Sequence, residues 1–263
     1  KPLIVSTRGI AVQQASKSKW MKPILKNVLK NADYITPNNV HHKEIIQKLG
    51  IPKSKILPVP NGVNTKLYKP RNKATLRKSL HLPKDAKIIL FVGWLIQRKG
   101  VSHLAEAFTH IQKQHPDTLL VMIGHGSLRN KLKAKLKDVK SNVRMIDATT
   151  PEKVAEYMSA ADLFVLPSLA EGRPNVIYEA MLSELPIVAT NIGGTNELIN
   201  TKNGILIPPK NAKAIEKAVC NLLDNEKKAR TLAKRARADV LKQKVSWDDC
   251  AKNFINIYKK CAE

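Results

Sequence analysis

Cysteine is scarce. Cys220, Cys250 and Cys261 are odd in number and widely spaced, so they form neither a disulfide framework nor a metal-ligand pattern. Reduced thiols in a cytosolic protein are the expectation. No apolar run reaches the roughly 18 residues that a membrane-spanning helix needs. No charged segment followed by an apolar one opens the chain as a secretory signal would. It opens instead at Lys1 and passes straight into an apolar strand, Pro2–Val5, so a natural start upstream is expected. Aromatic residues make up only 5%, and no zinc, homeodomain or RNA-binding signature is present, which argues against a specific nucleic-acid binder. Acidic residues are the other shortage: 21 against 46 Lys and Arg, a net charge of +25.

What the chain does have is ample core and an uneven charge. Its 263 residues are 43% hydrophobic, with apolar runs along the whole length, which excludes disorder and exceeds the needs of one average domain. Residues 1–84 hold 18 Lys and Arg against only Asp33 and Glu44, a surplus of 16. An electropositive first third favours anionic partners: phospholipid head groups, a phosphorylated acceptor or nucleic acid. Lysine-rich surfaces also serve solubility alone, so charge by itself selects none of these.

Two compositional regimes follow one another. The first runs to about Pro70 and ends in Leu57-Pro-Val-Pro-Asn-Gly62, a turn signal. It reads as a strand (Leu3–Ser6), a basic helix (about Lys19–Asn31), a short strand (Tyr34–Thr36) and a helix (about Val40–Leu49). That is too few elements to close a sheet. The second regime alternates buried-type strands at 87–92, 119–123, 143–145, 163–166, 187–189 and 205–207 with helical stretches. The helices read at about 101–114, 127–137, 151–160, 174–183, 195–198 and 212–223. This pattern predicts a parallel sheet covered on both faces, with ligands bound beyond the carboxyl ends of its strands. Residues 226–244 read as a polar stretch, and 246–259 as a last helix with Trp247, Phe254, Ile257 and Tyr258 in an apolar stripe.

The residues that follow each strand hold the candidate chemistry. After the first strand of the second regime, Gly93 and Gly100 bracket Arg98 and Lys99. Cations where a helix begins suit a phosphate or diphosphate, although alone they fit two solvated cations as well. After the next strand, Gly124-His-Gly126 lacks a third glycine, since Arg129 stands in its place. No acid closes a later strand at the usual offset, which excludes a nicotinamide cofactor. The densest pattern is Leu163-Phe-Val-Leu-Pro-Ser168-Leu-Ala-Glu171-Gly172-Arg173-Pro174-Asn175-Val176-Ile-Tyr-Glu179. Pro174 suits the first helical position. The free N–H groups near Asn175 and Val176 then form an anion site between two carboxylates, Glu171 ahead of the helix and Glu179 inside it. A nucleotide sugar, a diphosphate with a hydroxylated ring at each end, matches that arrangement.

The stretch from Lys87 to Leu223 resembles the donor domain of the retaining GT-B glycosyltransferases of family four, the glycosyl transferases group 1. The likeness rests on Glu171-x7-Glu179, Pro167-Ser168, Glu171-Gly172, Pro174-Asn175, Glu179-Ala-Met181, Leu185-Pro-Ile-Val188, Gly193-Gly194 and Asn203-Gly204. Ala32-Asp33, Pro60-Asn61-Gly62-Val63 and Lys66–Tyr68 resemble the end of the acceptor domain and the linker.

The fold implied is α/β of the GT-B type: a Rossmann-like parallel-sheet donor domain with helices on both faces, plus an incomplete second Rossmann-like domain. Residues 1–68 would be the end of the acceptor domain and linker, 69–245 the donor domain, and 246–263 a helix packing back on the first domain. The resemblance implies that Lys99, with Arg98, neutralises the donor diphosphate and that Glu171 binds sugar hydroxyls. Backbone around Gly172, Arg173, Pro174, Asn175 and Val176 would assist, with Ser168, Gly93, Gly193 and Gly194 nearby. Glu179 would bind the ribose, and the segments 123–126 (with Gly124 and Gly126) and 146–149 (with Ile146) would flank the base. Arg8 and Gly9 stand where the family often has His-Gly, and are assigned to the acceptor side. Trp94 stands where the family often has Arg, so diphosphate neutralisation falls to Arg98 and Lys99.

The activity implied is retaining transfer of a sugar from a UDP- or GDP-linked donor to a hydroxyl of a glycan, lipid or other acceptor. No resident cofactor or metal is expected, and no Asp-x-Asp motif is present. The charge of the first third adds an expectation of a cytoplasmic protein peripheral to an anionic cytosolic membrane face. Two other readings stand beside it: a donor-binding half active only with a partner chain, and a basic nucleic-acid-binding protein.

Overall fold

The computed structural model describes residues 1–262, with side chains through Cys261; Glu263, the last residue of the expected C-terminal helix segment, lies outside the described residues. The first unit begins with β1 (Ile4–Thr7), α1 (Ala11–Lys17), α2 (Met21–Asn31), β2 (Tyr34–Pro37) and α3 (Val40–Lys48). β1 and β2 pair in parallel, Ile4 opposite Tyr34, as a two-stranded sheet. Val12, Leu29, Ile35, Ile46, Ile51 and Ile56 close a small core around it. The sequence reading missed α1, whose only buried side chains are Val12 and Ala15. In α2 only Leu29 is fully buried; Trp20, Met21, Ile24 and Val28 are exposed.

After the linker come α4 (Lys73–Ser79), β3 (Lys87–Val92), α5 (Val101–Gln114), β4 (Thr118–Ile123), α6 (Arg129–Lys135) and β5 (Val143–Ile146). The chain continues through α7 (Pro151–Ala160), β6 (Leu163–Leu166), α8 (Asn175–Leu182), β7 (Ile187–Thr190), β8 (Ile205–Ile207), α9 (Ala212–Asp224), α10 (Glu226–Lys242) and α11 (Trp247–Ala262). The six strands β3 to β8 are parallel, in the order β5-β4-β3-β6-β7-β8. α5, α6 and α9 pack together on one face; α4, α7, α8 and α10 pack on the other. β3, β4, β6 and β7 are buried along nearly their whole length. Burial on both faces is why they read as unbroken apolar runs.

The sequence reading also omits α4, of which only Arg77 is buried, and three further segments differ from it for identifiable reasons. The polar stretch at 226–244 is the helix α10, which packs on α8 through Ala229, Leu232, Ala233, Ala236 and Val240. Alanine supplies most of that face, so the apolar signal is weak while helix propensity is high. The helix expected at 195–198 is a single 3₁₀ turn, Gly193–Thr195. α6 is shorter than expected and passes into 3₁₀ turns at Lys137–Asn142, where Val139 leaves helical geometry.

Two chain crossings join the units side by side. The first descends through Asn61-Gly62-Val63 and the second returns through Val245-Ser246, with the Val63 N–H donating to Val245 O at 2.9 Å. Gly62 lies under Trp247, and a Cβ there would sit 2.5 Å from the indole Cε3. Beyond the crossing, Cys250 and Ile257 of α11 bury against Val59, with Ile4, Tyr34 and Leu57 of the first unit alongside.

A buried polar anchor holds α4 to the sheet. Arg77 donates to Asp162 Oδ2 at 2.6 Å and to Ala160 O at 3.1 Å, and the same carboxylate accepts the Ile88 N–H at 2.7 Å. Asp162 keeps a second cation, Lys73 Nζ at 2.8 Å, so losing Arg77 does not strand the carboxylate; it orphans the Ala160 and Lys84 carbonyls that the guanidinium bonds. Arg77→Met is therefore expected to lower the unfolding free energy by about 2 kcal/mol, read by urea denaturation; a loss below about 0.5 kcal/mol would contradict it.

Candidate functional site at the switch point

The strand order reverses direction between β3 and β6, and the loops after these two strands meet there. In open α/β sheets this crevice is where ligands bind. The meeting is backbone against backbone: Leu169 N–H donates to Arg98 O at 2.7 Å, and Gly100 lies against the Pro167 carbonyl. Gly100 has φ +65°, and a Cβ there would overlap that carbonyl, so only glycine closes this joint.

Around the joint the structure gathers Arg98, Lys99, Ser168 and Glu171. Lys99 Nζ lies 2.6 Å from Glu171 Oε1, and Ser168 Oγ donates to the same oxygen at 2.6 Å. Arg98 Nη1 donates to Ala170 O at 3.2 Å and stands 3.8 Å from Glu171 Oε2. Glu171 is 6% exposed and the Lys99 side chain 12%, so this is a nearly dry ion pair. Its position is set from behind, because Thr190 Oγ1 donates to Ser168 O at 2.5 Å.

α8 begins beside this pair. Pro174 is its N-cap (φ −73°, ψ 114°) and Asn175 the first helical residue. This corrects the expectation that Pro174 occupies the first helical position: its extended ψ holds it one residue outside. The Asn175 and Val176 N–H groups have no hydrogen-bond acceptor among the described residues, which leaves donors free for an anion at the helix mouth. The Asn175 side chain accepts from Asn61 Nδ2 of the linker at 2.9 Å.

Glycine backbone ties the neighbouring loops to this mouth. Gly172 lies against the Gly9 carbonyl and Gly194 against the Gly172 carbonyl, while a Cβ on Gly193 would sit 2.5 Å from Glu171 O. Gly9 of the first unit thus touches the loop that follows β6. Arg8 does not: its Nε donates to Ser6 Oγ at 3.3 Å, and its guanidinium lies 5.8 Å from the Phe254 ring centre. The Arg173 side chain is likewise committed elsewhere, with Nε donating to the Tyr178 hydroxyl at 2.6 Å and Nη1 lying 3.1 Å from Glu197 Oε2.

A second compartment opens beyond β3, β4 and β5. A cavity of about 230 Å³ is lined by Gly93, Trp94, Ile123, Gly124, His125, Thr149 and their neighbours. Trp94 is 54% exposed and its ring meets His125 edge-on at 4.3 Å. Gly124 N–H donates to Ile146 O at 2.9 Å, and Gly126 packs against the Leu95 carbonyl. A mostly apolar slot with an aromatic edge fits a planar heterocycle.

Glu179 sits apart from the Lys99–Glu171 pair, and no hydrogen bond or ion pair joins them among the described residues. It faces the Tyr68 hydroxyl of the linker. Burial pushes its pKa up to about 7, opposed by the hydrogen bond from Tyr68. The sequence marks Asn61 and Tyr68 as linker only, with no role at the site, and does not single out Gln13 or Glu197 at all. Gln13 Nε2 donates to Glu171 O at 3.4 Å from 158 positions away, a separation that no local pattern encodes.

A parallel sheet in the order β5-β4-β3-β6-β7-β8 with helices on both faces, joined to a second, partial α/β unit, defines an α/β protein of the GT-B fold. Residues 72–239 match the family model of glycosyl transferases group 1, and the chain belongs to that family. An uncharacterized glycosyltransferase of Methanocaldococcus jannaschii is 30% identical over 236 residues, 87% of this chain and 60% of that protein. The UDP-Gal:alpha-D-GlcNAc-diphosphoundecaprenol alpha-1,3-galactosyltransferase of Escherichia coli is 34% identical over 191 residues, 70% of this chain and 49% of that enzyme. Among solved structures, sucrose-phosphate synthase of Thermosynechococcus elongatus superposes with a TM-score of 0.86 at 26% identity, over 98% of this chain and 67% of that one. The chain spans between 44% and 65% of the length of the first curated relatives that it matches.

The raised pKa of Glu179 has a checkable sign. The native state holds this proton between the ordinary 4.5 and about 7, so stability falls as pH rises through that window. Glu179→Gln should remove this dependence, amounting to about 2 kcal/mol between about pH 5 and pH 8. Denaturant melts of both proteins across that range check it, and parallel pH profiles would contradict it.

Proposed function

We propose that the protein transfers a sugar from a UDP- or GDP-linked donor to a hydroxyl of a glycan, lipid or other acceptor, with retention at the anomeric carbon. The observation that carries this reading is the dry Lys99–Glu171 pair placed against the unpaired N–H groups of Asn175 and Val176. The difficult event in such a reaction is charge separation between an oxocarbenium-like sugar and a departing diphosphate. Preorganised donors aimed at the diphosphate lower that barrier most.

In this reading the diphosphate sits at the α8 mouth and takes Lys99, with Arg98, as its counterion. Glu171, released from Lys99 but still held by Ser168, then accepts hydrogen bonds from sugar hydroxyls. The base enters the slot beside Trp94 and His125, and Glu179 accepts from the ribose. The galactosyltransferase relative, with a UDP-sugar and a lipid diphosphate in its name, supports donors and acceptors of these kinds. The surplus of cations in residues 1–84 supports a station against an anionic membrane face on the cytosolic side. No helix among the described residues is long and apolar enough to cross a membrane.

A second reading has its own support. The first unit holds a two-stranded sheet among the described residues, which supports a chain that binds donor and acts only with a partner chain that holds the acceptor. The size of the native complex separates the two.

Lys99→Ala in the full-length protein should lower kcat about a hundredfold, or about 3 kcal/mol. Unchanged turnover at saturating donor would contradict the assignment. Binding is tested without an acceptor: a UDP-, GDP- or ADP-sugar at about a hundred times its Kd should stabilise the fold by about 2.7 kcal/mol in a thermal-shift panel.

A further inference from the structure

We infer that Glu197 is a positioning residue that couples occupancy of the donor loop to the first unit, acting through Arg173 on the amino end of α3. The inference rests on the proposed donor site and adds a residue that the site itself does not use.

Glu197 follows the turn Gly193–Thr195 of the donor domain, yet its carboxylate reaches across the boundary between units. Oε2 accepts the Val40 N–H at 3.1 Å and Oε1 accepts the His41 N–H at 3.2 Å. These are the first two N–H groups of α3, which a helix cannot satisfy from within. The third, on His42, is taken by the local cap Asn39 Oδ1 at 2.6 Å. The opening turn of a helix in one unit is thus capped in part by a carboxylate from the other, where the helix dipole favours negative charge.

The same Glu197 Oε2 is paired with Arg173 Nη1 at 3.1 Å, and the two side chains are only 11% and 16% exposed. Little water screens the pair. Arg173 is pinned in turn by the Tyr178 hydroxyl and lies 5.4 Å from that ring's centre. Its backbone belongs to the loop whose next residues, Pro174 and Asn175, form the mouth of α8. Arg173 O also accepts from Asn61 Nδ2 of the linker at 3.5 Å. An anion seated on the Asn175 and Val176 N–H groups fixes this loop, the loop fixes Arg173, and Arg173 fixes the carboxylate that holds α3. Gly9 against Gly172 and Gln13 on Glu171 O are steric and neutral contacts. Glu197 is the charged link across the same boundary.

Amide hydrogen exchange on the full-length protein tests the coupling, with UDP and GDP as probes. In the wild type, a bound nucleoside diphosphate should slow exchange at Val40 and His41 by about fivefold or more. Glu197→Ala should abolish that slowing and, by reciprocity, weaken nucleotide binding by no more than about the same fivefold. Glu197→Gln keeps an oxygen acceptor for one N–H but loses the charge on Arg173; it should fold as the wild type does and retain only part of the response. A purely structural cap would move the basal exchange rate but not its dependence on nucleotide. Exchange at Val40 and His41 that is indifferent to bound nucleotide in the wild type, or a full response in Glu197→Ala, would overturn the coupling and leave the donor site standing. Failure of any nucleoside diphosphate to bind would overturn the donor site, and the coupling with it.

Discussion

The pairing of Lys99 with Glu171 in a nearly water-free crevice is the constraint around which the rest of the donor domain is arranged. Two opposite charges withdrawn from solvent gain little net stability, because their desolvation offsets most of their attraction. An apolar pair would serve the fold as well. What the ion pair supplies is readiness: a cation and an acid already stripped of most of their water and held in a fixed orientation at the switch point. Ser168 donates to the acid independently of the lysine, and Thr190 holds Ser168 from below.

Bringing these groups together requires loops that approach more closely than side chains allow. The joints at Gly100 with Pro167 and at Gly194 with Gly172 are contacts between main chains. Together with the sheet order β5-β4-β3-β6, they deliver the residues after β3 and β6 to the same place. The sheet supplies direction and the glycines supply proximity. Neither alone would place a lysine and a glutamate 72 residues apart at 2.6 Å.

Much of this was legible in the chain because it is local. β3, β4, β6 and β7 are buried on both faces and read as apolar runs. Lys99 and Glu171 each follow such a strand, so the rule that ligands bind at the carboxyl ends of strands pointed to them. α10 was hidden by its alanines, and Pro174 stands one residue outside the helix because its ψ is extended rather than helical. The contacts that join the units were not legible at all. Glu197 reaches Val40 across 157 positions and Asn61 reaches Asn175 across 114. Spacing along a chain carries no information about which surfaces of two separately folded units will meet. Arg173 shows the same for a residue the sequence did single out: its backbone lies at the mouth of α8, and nothing local foretells that its guanidinium turns toward Glu197 and Tyr178.

The twin crossings at Asn61–Val63 and Val245–Ser246 have a mechanical corollary. Because the two strands of the passage are bonded to each other and wedged by Trp247 over Gly62, they behave as one pin rather than two tethers. A residue inserted into one strand alone would carry Val63 out of register with Val245 and Gly62 out from under the Trp247 ring, so the neck holds its two strands to a common length.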